Sequence, residues 1–99
     1  MERKPKTVFH RVCLVADLNR GIIALGGELH ADAEAVLIQD GSAEKDLWGI
    51  NIYPFKKEDE WIVYTSLINV RPSLGNYSLE IASPQVREKI KKIVCARVS

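Results

Sequence analysis

A single α+β domain is the fold class this sequence predicts. Apolar residues alternate with period two in four stretches, they recur at helical spacing in two others, and the stretches follow one another as ββαββα. A chain of 99 residues supplies material for one hydrophobic core and not for two. The simplest packing of that order is a mostly antiparallel sheet with both helices on one face.

The first strand covers residues 8–18, with Val8, Val12, Leu14, Ala16 and Leu18 on one face and Phe9 and Val15 on the other. So many apolar residues suggest a central strand. Asn19, Arg20 and Gly21 form a three-residue hairpin loop, and the returning strand Ile22 to Leu25 sets Ile22 opposite Leu18 and Ala24 opposite Ala16. Gly26-Gly27 breaks the strand. From Leu29 the spacing is helical, with Leu29, Ala33, Val36 and Leu37 on one side, Asp32 and Glu34 near the positive end of the helix dipole, and Gly41 as the stop. After a polar connector, Leu47 to Tyr53 alternates again and places Trp48, Ile50 and Ile52 together. A charged loop then leads to a hairpin partner, Trp61 to Val70, whose Val63, Thr65 and Leu67 face the same way as Trp48. A turn-rich loop follows, and Tyr77 to Ile81 adds a short edge strand. The last helix has Ser83 as N-cap, Pro84 at its first position, and Val86, Ile90, Ile93 and Val94 on one stripe. Residues 1–7 are expected to be a flexible segment ahead of one domain spanning residues 8–99.

The charge balance, 14 Lys and Arg against 13 Asp and Glu, generates no global field that would draw nucleic acid or an anionic membrane. A basic set, Arg87, Lys89, Lys91 and Lys92 with Arg3, Lys4 and Lys6, lacks the interleaved aromatics of a nucleic-acid surface and reads as a solvated face. No apolar run approaches the roughly 20 residues of a membrane span, and no signal-peptide core follows the charged N-terminus. With Cys13 and Cys95 as two reduced thiols outside any Cys-x-x-Cys pattern, the expectation is a soluble cytoplasmic protein.

Two polar clusters are the candidates for chemistry. His30 and Glu34 stand four apart on the first helix, a spacing that can bring an imidazole and a carboxylate to one cation or one proton. A metal site there would take its ligands from Glu28, His30, Asp32 and Glu34, with Asp40 as a further acid. Asp32, however, faces away from the other two, so no tight metal site and no cofactor are expected. The alternative role for these acids is to complement the helix dipole. In the second cluster Arg71 offers a planar fork for a carboxylate or phosphate, with Asn69, Asn76 and Ser78 able to orient it. Its structural alternative pairs Arg71 with Glu80 or with a helix acid. Gly26-Gly27 lacks the remaining residues of a nucleotide-binding loop and is read as steric. Trp48 and Trp61 are assigned to core packing.

The strings Ala24-Leu25-Gly26-Gly27-Glu28-Leu29-His30-Ala31-Asp32, Asp40-Gly41-Ser42, Leu47-Trp48-Gly49-Ile50-Asn51-Ile52-Tyr53-Pro54 and Ile68-Asn69-Val70-Arg71-Pro72 resemble a family of small bacterial and archaeal proteins of roughly 100 residues, known as a domain of unknown function. The resemblance spans about residues 12 to 97 and implies a stand-alone cytoplasmic protein, with no activity attached. The functional expectation is a non-catalytic binding or interaction module with His30, Glu34, Asn69, Arg71 and Asn76 as candidate ligand contacts. The alternative is a small hydrolase-like or metal-assisted enzyme using His30, Glu34 and Arg71. A homodimer through an open sheet edge or the aromatic hairpin is the partner expectation.

Overall fold

The computed structural model describes residues 11–26, 29–57 and 60–98. Four antiparallel strands, β1 (Val12–Asp17), β2 (Ile22–Leu25), β3 (Leu47–Ile52) and β4 (Ile62–Val63), lie in the order β2-β1-β3-β4. Helix α1 spans His30–Gln39 and α2 spans Pro84–Val98, with short 3-10 turns at Glu44–Asp46, Leu67–Asn69 and Pro72–Leu74. The expected strand start at Val8 and Phe9, the residues Gly27 and Glu28, and the basic residues Arg3, Lys4 and Lys6 lie outside the described residues. No helix among the described residues is long and apolar enough to cross a membrane.

The two helices cover opposite faces of the sheet, a correction to the one-face packing expected from element order. Even-numbered residues of the central strands, Leu14, Ala16, Trp48, Ile50 and Ile52, pack with Ile90 and Val94 of α2. Odd-numbered Val15 and Leu47 pack with Ala33 and Leu37 of α1. The cause lies in β1, where Cys13 to Asp17 are all buried, so neither side of the strand tolerates water and each needs its own helix. The α2 helix follows its sequence signals: Ser83 Oγ accepts from Val86 N–H at 3.2 Å, and Ile90 and Val94 are fully buried.

Three local expectations also change. Asp17 accepts the backbone N–H groups of Asn19 and Arg20 at 2.9 and 3.0 Å, and Gly21 N–H returns to Asp17 O. That turn makes a four-residue loop, shifts the register by one to Ala16↔Ile23 and Val15↔Ala24, and moves Ile22 and Ala24 to the α1 face. Leu29 and Val36, expected on the buried side of α1, are exposed, and the helix buries Ala33 and Leu37 instead; its end is the expected one, with Gly41 at φ 107° directly after the Asp40 cap. The strand expected from Trp61 to Val70 pairs only at Ile62 and Val63, with Ile62 opposite Ile52, so Val63 lies on the α1 side with Asn51. Beyond it Thr65 bridges Glu80, and Ile81 N–H reaches Tyr64 O, which leaves the 77–81 segment as a single bridge and not a strand.

Candidate functional site

Because β4 meets only Asn51 and Ile52, the backbone of Leu47 and Gly49 faces outward past the end of the sheet ladder. Side chains take the place of the missing strand. The Asn69 carboxamide accepts from Gly49 N–H at 2.8 Å and donates to Gly49 O at 2.9 Å, the pair of bonds a strand residue would make. Arg71 donates from Nη1 to Leu47 O and from Nη2 to Glu34 Oε2 at 2.9 Å, and its guanidinium carbon lies 5.7 Å from the Trp48 ring centroid. The Arg71 and Glu34 side chains are only 11% and 16% exposed, so this ion pair is largely desolvated.

Local chemistry sets these positions. Ser66 caps the 67–69 turn by accepting from Ile68 N–H at 3.3 Å, which swings the chain off the strand path and brings Asn69 to Gly49. Pro72 opens the next 3-10 turn, and the backbones of Arg71 and Asn76 then exchange hydrogen bonds of 2.7 and 3.1 Å. Asn76, 4% exposed, gives its amide hydrogens to the Asn69, Ser78 and Glu80 carbonyls and accepts from Ala82 N–H.

His30 reaches the same strand from α1. Its Nε2 lies 2.6 Å from Ile50 O, and since a carbonyl only accepts, Nε2 carries the proton and Nδ1 holds a lone pair. Burial holds its pKa below the usual imidazole value, and the Arg11 charge adds to this against the opposing Ile50 bond; the ring is neutral at pH 7. A methyl group at Gly49 would sit 3.1 Å from His30 Cδ2 and 2.7 Å from Ser66 Cβ and Oγ, so only glycine lets both side chains close on the strand. With the Nε2–Cδ2 edge against β3, the opposite vertex of the ring, Nδ1, points away from it.

The two clusters nominated from sequence therefore meet: His30 and Glu34 from α1, Asn69, Arg71 and Asn76 from the loops. The meeting is one of mutual satisfaction. Glu34 faces Arg71 and not a cation shared with His30, Asn69 and Asn76 bond backbone, and Asp40 pairs with Arg20 at 2.9 Å. Asp32 is exposed, Glu28 lies outside the described residues, and no three His, Cys, Asp or Glu side chains converge among those described. The steric role expected at Gly26 is visible: a Cβ there would lie 2.8 Å from Leu29 O.

Next to this network, between the start of α1 and the 66–68 turn, lies a cleft of about 290 Å³ lined by Arg11, Leu29, His30, Asn51, Ser66 and Leu67 among others. Leu29 and Leu67 are 61% and 80% exposed. Except for His30, sequence reasoning missed this group, because its members are scattered along the chain and Leu67 is legible only as a strand residue. No curated protein and no solved structure matches the chain. One family model does, over residues 1–97, and by that match the chain belongs to the family described as Protein of unknown function (DUF5674).

Proposed function

We propose that this is a small cytoplasmic binding module without catalysis, whose ligand surface is the cleft beside His30. The carrying observation is the pair of large exposed apolar side chains, Leu29 and Leu67, beside a recess that also holds polar groups, the composition of a small-ligand site. The Glu34–Arg71–Asn69–Asn76 network supports that surface by holding the chain against β3. The enzyme reading has less behind it: Glu34 and Arg71, which were to supply acid–base and anion-holding roles, are committed to each other and to Leu47. A cytoplasmic place fits two cysteines outside any disulfide pattern.

The test is a ligand-observed NMR screen of a fragment library, paired with a broad turnover screen on the same preparations. Fragments should contact the methyl groups of Leu29 and Leu67 and lose that contact in Leu67→Asp, an exposed substitution compatible with the fold. Sustained turnover that disappears in His30→Ala would overturn the reading in favour of the enzyme.

A further inference from the structure

The cleft has a definite chemical polarity. Among the described residues that line it none is acidic, and Arg11 has no ion-pair partner among the described residues, so within that set the recess presents a cation without a paired acid. Ser66 is only 6% exposed; its Oγ accepts from Ile68 N–H, while its hydroxyl hydrogen has no acceptor among the described residues. His30 Nδ1 adds one acceptor facing away from the sheet. Leu29 and Leu67 add apolar surface.

We infer that the cleft takes an apolar α-amino carboxylate with an acylated nitrogen, the chemistry shared by a peptide C-terminus and a small N-acyl amino acid. This rests on the binding reading above. The carboxylate oxygens meet the Arg11 guanidinium and the Ser66 hydroxyl, the amide N–H donates to His30 Nδ1, and the side chain lies against Leu29 and Leu67. An unacylated amino acid is disfavoured because its ammonium would sit beside Arg11. The volume, about 290 Å³, is near the lower end of small-molecule sites at roughly 300 Å³, which suits one residue and not a long segment.

Titration with N-acetyl-leucine, with a pentapeptide ending in leucine, and with the same two molecules as C-terminal amides tests this, read by amide chemical shifts and calorimetry. The free acids should move the signals of Leu29, His30, Ser66 and Leu67, and the amides should bind about tenfold or more weakly, the loss of one charge-assisted hydrogen bond. Arg11→Gln should abolish the difference between acid and amide, and Leu67→Asp should weaken both. Tighter binding of the pentapeptide than of N-acetyl-leucine would identify a chain terminus as the source; equal binding would identify the small molecule. Equal affinity for acid and amide at these signals would overturn the carboxylate inference and leave the binding module standing. No response at the cleft to any of the four, while fragments still bind there, would also overturn it; silence from fragments as well would remove both.

Discussion

The two faces of the sheet are built on different physics. Under α2 the contact is carbon on carbon: Leu14, Ile50, Ile52, Ile81, Ile90 and Val94 with the indole of Trp48. Around α1 the apolar cluster is small, Val15, Ala33, Leu37 and Leu47, and buried polar side chains accompany it: Asp17, Ser42, Asn51, Ser66 and Asn69. Apolar burial is non-directional and tolerates repacking, whereas hydrogen bonds fix atoms in place. The α2 face therefore supplies bulk stability and the α1 face supplies geometry, and the cleft lies on the second.

The contrast breaks most sharply at the ion pair. Arg71→Met should destabilise by about 3–5 kcal/mol in chemical denaturation, because Glu34 is then left buried and unpaired, while the double variant Glu34→Leu, Arg71→Met should recover the part due to Glu34 and keep the loss of the Leu47 O bond. If the double variant is no better than the single one, the pair is not the organising element of that face. At Asn69, removal of the amide in Asn69→Ala should cost about 1–3 kcal/mol for each Gly49 group left unsatisfied, whereas Ile90→Val on the α2 face should cost only about 0.5–1.5 kcal/mol. Equal losses would mean that the two faces respond alike.

The smallest effects are those of pH. Burial raises the Asp17 pKa, but the Ser42 hydroxyl at 2.5 Å, the Arg20 and Asn19 N–H groups and the Arg20 charge outweigh it, so the folded value lies below the ordinary one. That contribution is present above the unfolded carboxylate pKa near 4 and is lost as pH falls through the folded value. His30 is depressed as well, so the unfolded chain binds the extra proton first and stability declines as pH drops below about 6.5 towards the folded value. Thermal melts across pH should show both declines, the lower one missing in Asp17→Asn and the upper one in His30→Gln.

How much of this could be read from the sequence differs in the same way between the faces. The α2 stripe and the alternation of β3 are written in local periodicity, and both stand. The side of the sheet that each helix covers is not local: it depends on β1 being buried on both faces, which only the assembled sheet decides. The end of β4 is not legible in the sequence because Val63, Thr65 and Leu67 alternate like a strand, and the deciding contact, Asn69 on Gly49, spans twenty positions. The five nominated polar residues do come together, yet as supports for backbone. Arg11, Ser66 and Leu67 carry no motif, and folding alone makes them neighbours of His30.

Side chains standing in for a strand also decide how sheets from different copies of the chain could join. On one flank, Asn69 and Arg71 occupy the open half of β3, and the 79–81 segment covers the backbone of Tyr64 and Ser66, so a newcomer finds few vacant partners. The other flank is β2. Gly26 N–H bonds to Cys13 O, so the backbone groups of Ala24 and Ile22 point inward and those of Ile23 and Leu25 point outward, with no partner strand among the described residues. Among the described residues the β2 edge is thus the more receptive of the two. Association by strand addition is therefore expected as β2 against β2 about a twofold axis near Ala24, while the same side chains that position the cleft shield part of the opposite flank.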